Sequence, residues 1–75
     1  MKDFILGYIG NRKVSFMMIL DNAFYHRYGR TDIHQDRHRG TLSLEITQII
    51  NDCVEDRLVG IDEYNFFYRK DLWNV

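Results

Sequence analysis

The feature that most constrains the fold is the segment from Thr41 to Lys70, where a helical pattern passes directly into a strand pattern. Its apolar residues recur at helical spacing and form one stripe: Leu42, Ile46, Ile49, Ile50, Cys53, Val54 and Leu58. Gly60 follows this stripe, and we expect the helix to end there. A short apolar strand at 58–61, a polar turn at 62–65 and an aromatic strand at 66–68 then predict a β-hairpin.

Two shorter apolar patterns precede this segment and predict two more helices. The first runs from Asp3 to Gly10, with Asp3 as the N-cap. Ser15 is placed to cap a second helix, Phe16 to Tyr28, which Gly29 would close. The polar stretch from Gly29 to Gly40 leaves two alternatives equally open: a single helical turn capped by Thr31, or a mobile loop.

A rival interpretation stays open for residues 4–20, because two strands joined by the polar turn at 10–13 would also fit. It gives an N-terminal β-hairpin, one helix and a C-terminal strand. We favour helices, since the apolar spacing continues past Leu20 to Ala23 and Phe24. The predicted fold class is therefore α+β and mostly helical, with three helices followed by a small C-terminal β-hairpin.

The length of 75 residues predicts one domain covering residues 1–75. A chain this short has a small core, which its five Phe, five Tyr and one Trp supply with large apolar side chains. Cys53 has no partner for an internal disulfide, and the longest apolar run, Val14 to Leu20, is too short to span a membrane. No cationic segment precedes an apolar signal core. We therefore expect an intracellular protein without membrane association.

Charge is distributed unevenly, although the net charge is only −1, which alone argues against a strong polyanion binder. Residues 24–40 carry four arginines against two aspartates, a balance of +2, together with all three histidines. Residues 41–65 carry six carboxylates against Arg57 alone, a balance of −5. We therefore expect one basic face and one acidic face.

In order along the chain, these parts resemble the winged helix-turn-helix superfamily. Helix two is "VSFMMILDNAF", helix three is "LSLEITQIINDCVEDRL", and the wing is "LVGIDEYNFFYRK". The link Arg12-Lys13-Val14 stands where the family has its first small strand. The resemblance implies a winged-helix domain, whose third helix enters the major groove in DNA-binding members.

The first functional hypothesis is a small DNA-binding protein that regulates transcription by reading duplex DNA, as a homodimer and without a cofactor. Arginine matches phosphate geometry, which makes four residues of the basic window candidate phosphate contacts: Arg27, Arg30, Arg37 and Arg39. Polar residues on helix three would approach base edges: Thr47, Gln48 and Asn51. Arg69 and Lys70 on the wing would touch the backbone or the minor groove. Solvated arginines paired with nearby carboxylates are an equal alternative.

The second hypothesis is a protein-binding module or small inhibitor, acting as a nucleic-acid mimic towards a basic protein partner. It rests on the acidic character of helix three and on aromatic side chains near the C-terminus. The residues concerned are Glu45, Asp52, Glu55, Asp56, Phe67 and Trp73.

Enzymatic activity and metal binding find little support in the motifs. The chain has no glycine-rich phosphate loop, HExxH or nucleophile elbow, so we predict that it is not an enzyme. His34 and His38, with His26 and Cys53, could form a four-ligand zinc site. Cys53 belongs to the apolar stripe, however, and no CxxC accompanies it, so we predict no metal site.

Overall fold

The computed structural model describes residues 1–29 and 37–73, which form three main helices followed by an antiparallel β-hairpin. The helices are α1 (Lys2–Ile9), α2 (Phe16–Tyr28) and α3 (His38–Glu55). The strands are β1 (Val59–Ile61) and β2 (Phe67–Arg69), and a short α4 (Lys70–Trp73) follows β2. The predicted α+β, mostly helical architecture is confirmed, and the alternative hairpin over residues 4–20 is wrong. The helical turn predicted at Thr31 lies outside the described residues.

Helix α2 has the predicted bounds because both of its capping residues act as expected. The Ser15 hydroxyl accepts a hydrogen bond from the Met18 amide at 3.2 Å. Gly29 adopts a left-handed conformation with φ 71°, and its amide donates to the Tyr25 carbonyl at 2.8 Å. These caps satisfy backbone groups that both ends of a helix leave unpaired.

Helix α1 differs from the prediction at its start. It begins at Lys2, and the Met1 carbonyl accepts from the Ile5 amide, so the proposed capping role of Asp3 is wrong. Asp3 instead lies in the first turn, where a carboxylate interacts favourably with the helix dipole. Gly10 ends the helix with its amide bonded to the Leu6 carbonyl.

Helix α3 starts and stops elsewhere than predicted. It begins at His38 and includes Gly40, so the expectation that helix three begins after Gly40 is wrong. At the other end Arg57 takes a left-handed conformation, with φ 62°. Its amide bonds the Val54 carbonyl and the Leu58 amide bonds the Cys53 carbonyl, the pair of hydrogen bonds of a Schellman motif. Gly60 therefore does not end the helix; it lies inside β1.

The hairpin pairs Val59 with Arg69, Gly60 with Tyr68 and Ile61 with Phe67. The Asp62 carboxylate closes the turn by accepting from the Tyr64 and Phe66 amides at 2.8 and 2.9 Å. Both hydrogen bonds lower the pKa of Asp62, and the one from the Phe66 amide has the larger effect.

A third backbone segment joins the hairpin on its β2 edge. Val14 and Phe67 form an isolated antiparallel bridge, with N–O distances of 3.0 and 2.7 Å. The link at residues 12–14 therefore lies beside β2, and the order across the sheet is β1, β2, Val14. This bridge anchors the start of α2 to the hairpin.

The hydrophobic core lies between the three helices and the inner face of the hairpin. Its buried members come from all of these elements: Ile5, Ile9, Val14, Ile19, Leu20, Ala23, Phe24, Leu42, Ile46, Ile50, Cys53 and Val59. Four of them belong to the predicted α3 stripe, and Ile49, Val54 and Leu58 pack against the same cluster partly buried. Of the helices in residues 1–29 and 37–73, none combines the length and apolar character needed to cross a membrane.

Candidate functional site

One side of α3 is exposed along its length, opposite the buried stripe. Residues three and four apart share a helix face, and here we define the α3 face as Arg37, Leu44, Thr47, Gln48 and Asn51, all exposed. The Thr47 hydroxyl donates to the Ser43 carbonyl at 2.8 Å, so its methyl group is left for apolar contacts. Leu44 is 74% exposed, so its side chain adds apolar surface to this face.

Arg27 on α2 holds Glu45 on α3 through two side-chain hydrogen bonds. Arg27 Nη1 donates to Glu45 Oε1 at 3.1 Å, and Nη2 donates to Oε2 at 2.7 Å. The hydrogen bonds lower the pKa of Glu45 and raise that of Arg27. Glu45 is the one carboxylate between residues 37 and 51. Its charge is matched by Arg27, and it is directed towards α2.

The remaining acidic residues of this region lie at the far end of α3. Asp52, Glu55 and Asp56 line a groove of about 270 Å³ together with Ile49 and with Lys2 of α1. The acidic character that the sequence assigns to helix three is therefore concentrated at its C-terminal end.

The predicted phosphate-binding arginines are in different environments. Arg37 is exposed immediately before α3. Arg39 is half-buried, with Nη2 3.6 Å from Met17 Sδ and a buried Nε that has no hydrogen-bond partner among the described residues. Arg27 is engaged with Glu45, and Arg30 lies outside the described residues. Of the four, Arg37 alone has both an exposed position and no ion pair within residues 1–29 and 37–73.

The two predicted wing cations lie at the base of the hairpin, not at its turn. Arg69 donates to both carboxylate oxygens of Asp71, at 3.2 and 2.6 Å. Lys70 is exposed and lines a larger groove, which we call the outer groove, of about 440 Å³. The residues that line it are Arg57, Tyr68, Lys70, Asp71 and Trp73.

A smaller, mostly apolar groove separates the α3 face from the hairpin. It measures about 100 Å³ and is lined by Phe16, Thr47, Ile50, Asn51, Ile61 and Phe67. Ile61 is 51% exposed beside it. Together with Leu44, this groove gives the surface around α3 an apolar component that the sequence reasoning did not identify.

The residues of the protein-binding hypothesis are distributed over several surfaces. Glu45 is held by Arg27, whereas Asp52, Glu55 and Asp56 line the acidic groove. Phe67 packs half-buried against the core, and Trp73 lines the outer groove.

The histidines and the cysteine are engaged in packing where the structure describes them. His26 stacks on Phe4 at 4.3 Å, and His38 stacks on Tyr28 at 5.3 Å. Burial raises the pKa of the Cys53 thiol. Within residues 1–29 and 37–73, no three His, Cys, Asp or Glu side chains are grouped so as to hold a metal ion. His34 lies outside these ranges.

Sequence reasoning missed Lys13 and Arg57. Lys13 pairs with Asp62 at 3.3 Å, and its Nζ lies 5.6 Å from the Tyr68 ring and 5.4 Å from the Trp73 ring. These contacts join residues far apart in the chain, which no local pattern indicates. The conformation of Arg57 could have been predicted from the sequence. A polar residue at the end of an apolar helical stripe, followed directly by an apolar residue such as Leu58, is typical of a Schellman motif.

Comparisons with known protein families, with curated proteins and with solved structures find no significant match to this chain.

Proposed function

We propose that this chain is a winged-helix protein that binds duplex DNA, with the α3 face directed into the major groove. The observation that carries the proposal is the chemistry of this face: from Arg37 to Asn51 the single carboxylate, Glu45, is neutralised by Arg27. The face is therefore free of the unpaired negative charge that phosphates would repel.

The order of elements supports the proposal. Helix, bridged segment, two helices and hairpin follow one another as the winged-helix resemblance implies, and Val14 lies beside β2. That bridge joins the start of α2 to the hairpin, and both α2 and β1 contact α3. In helix-turn-helix proteins the second helix of the motif, which corresponds to α3 here, reads the major groove.

The side chains of the α3 face suit base edges. Gln48 and Asn51 each offer an amide that forms paired hydrogen bonds with adenine. The free methyl group of Thr47 and the exposed side chain of Leu44 suit the methyl group of thymine. We therefore propose a site rich in A·T pairs.

Phosphate contacts come first from Arg37, at the start of α3. Arg39, Arg69 and Lys70 are secondary candidates, and Arg27 acts mainly by neutralising Glu45. A net charge of −1 gives one domain little general affinity for DNA. We therefore propose a homodimer on two half-sites, acting inside the cell as a transcription regulator.

The test is fluorescence anisotropy of a labelled A·T-rich duplex titrated at several salt concentrations. Affinity should fall steeply as salt rises, and Arg37→Ala should reduce the slope of log affinity against log salt by about one. Gln48→Ala should weaken binding without changing that slope. Lys2→Ala, which removes a cation beside the acidic groove, is the matched control and should bind as the wild type does. Absence of binding at low salt would remove the proposal.

The exposed Leu44 and the apolar groove favour a second candidate, a protein-binding module that docks a partner on the same surface. Leu44→Asp tests this candidate by pull-down, with Gln48→Ala as the polar control. If the chain is a protein-binding module, Leu44→Asp should lose a partner that the wild type and Gln48→Ala retain. The wild type should also fail to bind duplex DNA.

A further inference from the structure

The outer groove lies on the face of the hairpin opposite the core. Phe67 packs against the core, so its neighbour Tyr68 projects to the other side of the strand. Gly60 is paired with Tyr68, and a Cβ at Gly60 would lie 2.6 Å from the tyrosine ring. Because glycine has no side chain, the Tyr68 ring can lie directly over β1 at this position.

Two aromatic rings line this groove in a fixed arrangement. Tyr68 and Trp73 meet edge to face, with centroids 6.5 Å apart and an interplanar angle of 67°. Lys13 lies near both rings without lining the groove, and it is itself held by Asp62. The rings are thus positioned by contacts within the protein, and each also contributes surface to the groove.

The groove is cationic in a chain whose net charge is negative. Arg57 and Lys70 line it, and neither forms an ion pair within the described part of the chain. The carboxylate of Asp71, the acidic residue of the lining, is held on both oxygens by Arg69. The lining therefore has two uncompensated positive charges.

Backbone geometry brings these two cations together. Arg57 occupies the left-handed position of the Schellman motif that ends α3. The next residue, Leu58, accepts a hydrogen bond from the Lys70 amide at 2.9 Å. The end of α3 and the end of β2 are thereby joined, with one cation contributed by each.

We propose that the outer groove binds a nucleotide, with the base against the Tyr68 or Trp73 ring and the phosphate on Arg57 and Lys70. Aromatic rings stack on bases of any sequence, and arginine and lysine are the usual partners of phosphate. The volume of about 440 Å³ suits a ligand of this size. The proposal goes beyond DNA binding, because the α3 face does not line this groove and Lys70 is the one residue of its lining that is also a secondary candidate for contacting DNA.

Trp73 is the only tryptophan in the chain, so its fluorescence reports on this groove directly. We would titrate the full chain with ADP and, separately, with adenosine and with inorganic phosphate. ADP should change the Trp73 emission with a Kd below about 1 mM, and each half-ligand should bind at least about tenfold more weakly. Equal binding of phosphate and ADP would mean an anion site without base recognition and would overturn the proposal.

Matched variants separate the groove from the rest of the surface. Arg57→Gly removes a cation and keeps a residue suited to the left-handed conformation, so this variant should fold. It and Lys70→Gln should each raise the Kd for ADP about tenfold, whereas Arg37→Ala should leave it unchanged. No response to ADP by fluorescence or calorimetry would refute the site. A short single-stranded oligonucleotide that binds more than about tenfold tighter than ADP, with the same variant dependence, would assign the groove to strands instead of nucleotides.

Discussion

Arg27 on α2 forms a bidentate ion pair with Glu45 on α3, 18 residues further along the chain. The pair neutralises Glu45, the carboxylate nearest the middle of α3. Charge counted along the sequence placed these residues in separate basic and acidic windows. The fold brings them together, so the exposed side of α3 differs in charge from the helix as a whole.

This ion pair makes the free energy of unfolding depend on pH in the acidic range. The pKa of Glu45 is lowered from its ordinary value of 4.5 in the folded state, so the unfolded chain binds the proton more readily. The stabilisation is present above about pH 4.5 and is lost as the pH falls through the lower folded-state pKa. Because both side chains are more than a third exposed, we expect an effect below about 1 kcal/mol. Urea unfolding should show Glu45→Gln losing less stability than the wild type between neutral and acid pH; equal losses would contradict a coupled pair.

Two glycines should respond in opposite directions to alanine. Gly40 lies inside α3, and a Cβ added there would meet no atom within 4 Å, so Gly40→Ala should stabilise the protein by about 0.5 to 1 kcal/mol. At Gly60 the added Cβ would lie 2.6 Å from Cζ and Oη of Tyr68, so the ring must move off β1 and Gly60→Ala should destabilise by about 1 kcal/mol. Thermal unfolding measures both. Gly60→Ala should also shift the emission of Trp73, because Tyr68 must move; a destabilised Gly40→Ala would place that residue outside the helix.

The hydroxyl of Ser15 should stabilise the start of α2. Ser15→Ala removes the hydrogen bond to the Met18 amide and should cost about 1 kcal/mol in the free energy of unfolding. Ser15→Asp, which keeps a capping oxygen, is the control and should recover most of that loss. The account of this cap fails if alanine and aspartate behave alike in chemical denaturation.

A charge placed in the α3 stripe should prevent folding. Ile50 is 3% exposed, so Ile50→Asp places an uncompensated carboxylate in the core, at a cost of several kcal/mol in a small domain. Circular dichroism should show the loss of helical signal. Gln48→Asp, two residues earlier on the exposed side, should remain folded. A folded Ile50→Asp protein would mean that α3 is rotated relative to the orientation described here.

Local patterns predicted the interior of each main helix because periodic burial and capping are encoded by neighbouring residues. Phe16–Tyr28 has its cap in Ser15 and its terminator in Gly29, and both function as the sequence indicates. Prediction was less successful where tertiary contacts decide. Gly40 is tolerated inside α3, and Arg57 takes a conformation that favours glycine.

The candidate sites depended still more on long-range contacts. The exposure of Thr47, Gln48 and Asn51 followed from helical spacing alone. The pairing of Arg27 with Glu45 did not, nor did the outer groove, since it joins the end of α3 to β2 and α4. The short helix α4 also escaped prediction, because four residues show no period.

The most direct test of DNA binding through α3 is nuclear magnetic resonance of isotope-labelled protein titrated with an A·T-rich duplex at low salt. We predict that the largest changes fall on the amides of Thr47, Gln48 and Asn51 and at Arg37, while those of Lys2 and Asp56, at the acidic groove, stay unchanged. Changes confined to the acidic groove or the outer groove, or no changes at all, would contradict the account.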